Sequence, residues 1–207
     1  MRIAVLGASG RTGGVVVTRA LERHHDVVAV VRSASRAPQR TTPAIADALD
    51  AKALAKAFAG VDAIISCVGH VKGQGDGKLL ASSVTAILEA MAVSGVRRVI
   101  VVSASGAFVG GDDPLTRFIA KPLLNRILRE NMDDTRAMEG VLRSSDVEWT
   151  ALRPSQLVDK PGTANYRWRI ESSLPWGFQT SYNTVARAAL DALTRPDWVR
   201  RAVSIAD

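Results

Sequence analysis

Gly7, Gly10 and Gly13, in the run Gly7-Ala8-Ser9-Gly10-Arg11-Thr12-Gly13, have the spacing of a turn that holds a dinucleotide. The short apolar run Arg2 to Leu6 precedes them and an apolar periodicity from Val15 to Leu21 follows, so strand, glycine turn and helix come in order. In that arrangement Gly7 permits the tight turn and Gly10 lets backbone amides approach a pyrophosphate. Gly13 packs helix on strand, and the helix N-terminus faces the anion. Ser9, Arg11 and Thr12 share the loop and join the glycines as cofactor-binding candidates, Arg11 reading either as a phosphate ligand or as a solvated side chain. The spacing is GxxGxxG rather than GxGxxG, and glycine turns also serve structural ends. Position, directly after the first strand, carries the reading. A P-loop does not fit, because no Gly-Lys-Ser/Thr follows.

The second strand, Asp26 to Val31, ends where a dinucleotide fold places an acidic residue on the ribose 2′-hydroxyl, about 20 residues past the glycines. Here Arg32, Ser33 and Arg36 follow instead. Guanidinium groups bind a 2′-phosphate through charge-assisted hydrogen bonds where a carboxylate repels it. The expected cofactor is therefore NADP(H) rather than NAD, against the alternative of a solvated basic loop.

Further candidates lie just after later strands, where ligands sit in open parallel sheets. Ala44 to Ala46 reads as a third strand, putting Asp47 and Ala48 beside the adenine. Asp62 to Val68 reads as a fourth, with Cys67, Val68 and Gly69 lining the path to the nicotinamide. Arg98 to Val102 is a fifth, followed by Ser103 and Ser105, the catalytic candidates. Each serine reads either as a group near the reacting ring or as a loop hydroxyl satisfying backbone. Glu148 to Leu152 is a sixth strand stopped at Arg153-Pro154, and Pro154 is also assigned to the cofactor. Helices are expected over Ala51 to Ala59, Lys78 to Ser94 and Ser181 to Thr194, and Ala202 to Ile205 is expected as an edge strand closing the sheet. His70 is the pocket-side histidine candidate, or else a solvated loop residue.

Strand and helix alternate throughout, which implies an α/β Rossmann fold: a doubly wound parallel sheet in three α/β/α layers. The 207 residues, 47% hydrophobic, suit one domain, with substrate-side elements over about 154–180. A net charge of +7 raises nucleic acid as a partner, but no basic stripe interleaved with aromatics accompanies it. No apolar run is long enough to span a bilayer and no secretory leader pattern is visible, so a cytoplasmic protein is expected. The single cysteine, Cys67, agrees with a reducing compartment and reads as core or pocket lining rather than nucleophile. No metal-ligand spacing stands out.

Taken together, Gly7 to Gly13, Val31-Arg32-Ser33, Gly60 to Ser66, Val102-Ser103-Ala104-Ser105-Gly106 and Glu148-Trp149-Thr150-Ala151-Leu152-Arg153-Pro154 resemble the atypical short-chain dehydrogenase/reductase group. More narrowly, the chain is similar to its NAD(P)H-binding branch of flavin reductase/biliverdin reductase B-like and NmrA-like proteins. The resemblance implies a Rossmann fold, an NADPH site and a small open substrate pocket. The chain departs from the wider group in lacking a Tyr followed four residues later by Lys: Ile170 and Ala186 stand at those places after Tyr166 and Tyr182. It departs from the flavin/biliverdin reductase branch in having Gln156 where a histidine tends to follow the proline.

Without that acid, the chemistry left is hydride transfer to a flavin, quinone or similar planar acceptor, which needs chiefly stacked rings and can take its proton from water. The other reading is a non-catalytic NADP(H)-sensing regulator. Trp168 and Trp176 either stack a planar acceptor or cover the sheet edge. The apolar, basic stretch Phe118 to Arg129 reads as a core-facing helix from Pro122, a partner surface or a lid.

Overall fold

The computed structural model describes residues 1–70, 77–108, 129–163 and 165–207. The stretch proposed above as helix, partner surface or lid falls outside them, except that Arg129 opens a helix.

The strands are β1 (Arg2–Leu6), β2 (Asp26–Val31), β3 (Thr42–Ile45), β4 (Ala63–Ser66), β5 (Arg98–Val102), β6 (Glu148–Pro154), β7 (Gln156–Val158), β8 (Arg167–Ile170), β9 (Gln179–Ser181) and β10 (Arg201–Ala206). The helices are α1 (Arg11–Glu22), α2 (Ala51–Ala57), α3 (Leu79–Ser94), α4 (Arg129–Arg143) and α5 (Tyr182–Asp191). One eight-stranded sheet runs β3-β2-β1-β4-β5-β6-β10-β8, and β7 pairs with β9 separately. All neighbours in the large sheet are parallel except β8, which is antiparallel to β10.

The strand sequences are apolar on both faces because helices cover both. Side chains alternate across a strand, so Ile3 and Val5 pack with Val16, Val17 and Ala20 of α1 and with Val185 and Ala189 of α5. Ala4 and Leu6 point to the other layer, with Leu54 of α2, Ile87 and Met91 of α3, and Met138 and Leu142 of α4. The expected three-layer α/β/α fold is therefore present.

One strand assignment is corrected. β10 is interior rather than the closing edge: Val203 pairs with Leu152 on one side and with Ile170 on the other. The edge is β8, whose polar spelling Arg167-Trp168-Arg169-Ile170 gave no buried-strand signal because an edge strand buries little. β6 also runs two residues past the expected stop, since Ser204↔Arg153 and Ile205↔Pro154 continue the register. At Pro154 the neighbouring β5 has already ended, so β6 is paired there with β10 alone, an edge position that tolerates a residue with no N–H.

The order of the strands fixes where a ligand can enter. After β1 the chain winds to β2 and β3 on one side, then returns to β4 and β5 on the other. The connections leaving the carboxyl ends of β1 and β4 therefore diverge, and the crevice lies between them.

Candidate active site

Gly7 sits at φ +72, a left-handed conformation that a side chain disfavours, and a Cβ there would lie 2.9 Å from the Cys67 carbonyl oxygen. The loops after β1 and β4 thus meet through backbone at the switch point. Gly10 N–H donates to Gly7 O at 2.9 Å, closing the turn, and Gly10 then starts α1 in an extended conformation with no side-chain cap. Gly14 N–H makes an early helical bond, to Gly10 O at 2.8 Å. The amides of the first turn, Arg11, Thr12 and Gly13, have no intrahelical acceptor, and no acidic side chain stands among them. Such a helix start, with the positive end of its peptide dipoles exposed, has the electrostatics that suit an anion. Gly13 is buried where its helix crosses the turn, and a Cβ there would lie 2.1 Å from Gly7 O. Ser9 and Gly10 are exposed at the mouth. The Arg11 guanidinium lies 5.5 Å from the ring of Tyr182, the first residue of α5, so a neighbouring helix holds it beside the loop.

Arg32, Ser33 and Arg36 are exposed beyond β2, and neither arginine makes an ion pair among the described residues. Ser33 hydroxyl contacts that of Ser35 at 2.9 Å. Asp47 follows β3 and accepts Leu49 N–H at 2.9 Å, a turn that leads into α2, with Ala48 half-buried beside it. After β4, Cys67 N–H continues the ladder to Leu6 O at 3.0 Å. Val68 packs on the α2/α3 side, and Gly69 faces open space. Burial pushes the Cys67 thiol up to about 12. We therefore expect iodoacetamide at about pH 8 to leave native Cys67 unmodified and to alkylate it once urea exposes it. Prompt labelling of the folded protein would contradict that burial.

The two serines have different surroundings. Ser103 is buried, and its hydroxyl donates to Glu139 Oε1 at 2.7 Å. The Arg153 guanidinium holds the same carboxylate, Nε to Oε1 at 2.9 Å and Nη2 to Oε2 at 2.5 Å. Arg153 also lies over the Phe108 ring at 3.6 Å. The Ser103 proton is therefore committed to Glu139. Ser105 is half-buried, and its hydroxyl is 3.5 Å from that of Ser155, too long to hold it firmly. Ser155 in turn donates to the Gly177 carbonyl. Sequence reading missed Glu139. Its signal was a carboxylate in register with Met132, Thr135 and Leu142 on the buried face of α4.

Of the other candidates, His70 is half-buried rather than solvated, with Nε2 3.0 Å from Asp134 Oδ2. Tyr166 donates to Asp191 at 2.8 Å, and burial raises its phenol above the usual range. Trp168 covers the sheet edge, with Arg195 at 4.4 Å from its ring and 4.6 Å from that of Trp198. Trp176 is 65% exposed and lines a cleft of about 690 Å³ with Lys160, Phe178 and Asp207. Among the described residues, no group of three or more His, Cys, Asp and Glu could hold a metal ion, and no helix is long and apolar enough to cross a membrane.

A doubly wound sheet with an uncapped, glycine-turned helix start at its switch point defines a Rossmann-fold protein. The chain belongs to the NAD(P)H-binding family, whose profile matches residues 7–196. It is 25% identical over 203 residues to the uncharacterized protein YwnB of Bacillus subtilis, covering 95% of this chain and 94% of that one. Among solved structures, a short-chain dehydrogenase/reductase from Veillonella parvula in complex with NADP superposes with a TM-score of 0.82 at 21% identity, covering 100% and 94% of the two chains. ChuY, an anaerobilin reductase from Escherichia coli O157:H7, does so with 0.80 at 21% identity, covering 100% and 97%. At that identity these likenesses establish the fold.

Proposed function

We propose that this protein is an NADPH-dependent oxidoreductase that reduces a flavin, quinone or similar planar acceptor. The observation that carries the reading is the cradle of Gly7, Gly10 and Gly13 under the uncapped start of α1: a Cβ at each position would meet backbone within 3.2 Å. Turn and helix can pack this closely only because side chains are absent, and that packing supports a helix start whose amides are open to a ligand. When bound, the dihydronicotinamide supplies hydride, and the protein supplies place and orientation.

In this reading the amides of Arg11, Thr12 and Gly13 take the pyrophosphate, with Ser9 and Arg11 at the mouth. Arg32, Ser33 and Arg36 take the 2′-phosphate, Asp47 and Ala48 border the adenine, and Cys67, Val68 and Gly69 with Pro154 line the way to the nicotinamide. Ser105, whose hydroxyl is weakly held, offers the hydrogen bond to the acceptor. Ser103, anchored through Glu139 and Arg153, keeps the end of β5 in place. Reductase naming among the structural neighbours agrees with this assignment.

The test begins with NADPH and NADH titrated by fluorescence, after which flavin mononucleotide and then a quinone are added. Tight NADPH binding and loss of dihydronicotinamide absorbance are expected. Arg32→Ala with Arg36→Ala is expected to weaken NADPH binding about 10- to 100-fold, from one or two lost charge-assisted hydrogen bonds, while leaving NADH unchanged. Binding without turnover of flavin, quinone or tetrapyrrole acceptors would replace the reductase by the NADP(H)-sensing regulator. Equal loss of both nucleotides in the double variant would refute the 2′-phosphate assignment.

A further inference from the structure

A reductase with no Tyr-Lys pair still has to protonate its product, and among the described residues most groups near the crevice are already spoken for. Ser103 gives its proton to Glu139 at 2.7 Å, and Glu139 is held by Arg153. The Cys67 thiol is pushed up to about 12. Tyr166 is bonded to Asp191, and Tyr182 is 7% exposed with Arg11 over its ring.

His70 is left. It follows the β4 loop whose Cys67 carbonyl abuts Gly7, so it stands on the connection that borders the crevice. Its imidazole Nε2 lies 3.0 Å from Oδ2 of Asp134, whose side chain has 0% exposure. The contact is close but out of line for a straight hydrogen bond. Asp134 is itself immobilised, accepting Leu80 N–H at 2.8 Å and Ala81 N–H at 3.0 Å from the start of α3. A fixed buried carboxylate therefore lies against one edge of the ring, an ion pair when the imidazole is protonated, and Nδ1 has no hydrogen bond among the described residues. α4 carries both Asp134 and Glu139, and five residues of helix span roughly 7.5 Å. One helix thus carries the carboxylate beside His70, beyond β4, and the one bonded to Ser103, beyond β5, on adjacent strands.

We propose that His70, oriented by Asp134, is the proton donor to the acceptor. This rests on the reductase reading and deepens it: the acceptor class is one whose reduction places a new hydrogen on nitrogen or oxygen. The C–H bond of the dihydronicotinamide breaks, its hydrogen and electron pair pass to the acceptor, and the acceptor atom left with excess charge takes the imidazolium Nδ1 proton. The acceptor is reduced by two electrons, the nicotinamide is oxidised by two, and water reprotonates the imidazole. The groups facing His70 are Asp134 from α4 and the amino end of α3, where Lys78 stands at the cap.

Two measurements test it. His70→Gln keeps an N–H toward Asp134 but cannot transfer a proton; its kcat with flavin or quinone should fall about 100-fold with NADPH affinity unchanged. His70→Ala should fall likewise and regain activity when free imidazole is added. Wild-type turnover with an equally fast His70→Gln, or no imidazole rescue, overturns the proton donor and leaves the reductase standing; no wild-type turnover with any acceptor overturns the reductase reading itself. The second readout needs no turnover. In a long-range ¹H–¹⁵N spectrum of the wild-type protein, NADP⁺ should move the His70 ring resonances, assigned by their loss in His70→Ala. His24 and His25, in the turn before β2 at the other end of the sheet, should stay put. An unmoved His70 places it away from the site and overturns the inference.

Discussion

Gly13→Ala is expected to unfold this protein or leave it without cofactor binding, since its added methyl group meets the deepest clash among the described glycines. The added Cβ would sit 2.1 Å from Gly7 O, 2.7 Å from Gly7 C and 3.0 Å from Ala8 Cα. All three atoms are backbone, so no rotamer change relieves the clash; α1 must move off β1. Overpacking of a tight core costs about 1–3 kcal/mol, and a backbone clash of this depth belongs at or beyond the upper end. Moving α1 also tears open the turn that presents its amides. Gly14→Ala is the control: its Cβ would meet Ala8 O at 3.7 Å, ordinary contact, and alanine favours helix by up to about 1 kcal/mol. Urea denaturation and NADPH titration of the pair should therefore diverge, with Gly14→Ala at or above the wild-type midpoint. A Gly13→Ala protein with native midpoint and affinity would show that helix and turn do not pack as described.

The second large effect is expected at the buried ion pair behind Ser103. Arg153 is 7% exposed and Glu139 1%, so Arg153→Met leaves the buried carboxylate with only Ser103 and, at 3.9 Å, Arg143, at a cost of about 3 kcal/mol, the lower end for a broken buried pair. Glu139→Leu strands the guanidinium and should cost a similar amount, eased by its contact with the Phe108 ring. The double variant Glu139→Leu/Arg153→Met removes both charges and is expected to recover most of the loss, because well-packed apolar side chains replace a buried pair at little net cost. The coupling in that double-mutant cycle, read from urea midpoints, should be at least about 2 kcal/mol. Strictly additive losses would mean that the two side chains do not share the interaction. The double variant leaves the Ser103 hydroxyl without its acceptor, so it separates stability from function. Stability should return while acceptor turnover stays impaired.

How much of this was legible beforehand follows from the range over which each feature is set. The glycine turn was legible because its demands are local: a positive φ at Gly7 and close approaches at Gly10 and Gly13 lie within a few residues of one another. Strands β1, β2, β4, β5 and β6 were legible because a sheet covered on both faces leaves continuous apolar runs. β8 was not, since an edge strand with three exposed positions carries no such run, and β10 was misplaced at the edge as a result. Short β7 and β9 have no periodicity to detect; they exist because Leu157 pairs with Thr180 across the intervening loop.

The amino-acid sequence by itself determined the class of fold, the position of the glycine turn before α1 and the absence of an acidic residue after β2. Each depends on residue types at short spacing, where sterics and charge act along the chain. Only the tertiary structure decided which serine is loosely held and which is bound to Glu139. It also paired His70 with Asp134, and set Trp168 against the sheet edge while Trp176 faces a cleft. Those choices join residues 36 and 64 positions apart across α4, or turn on the packing of an edge strand. A contact at that separation is made by helices settling on a sheet, and nothing in the local spelling of either partner records it.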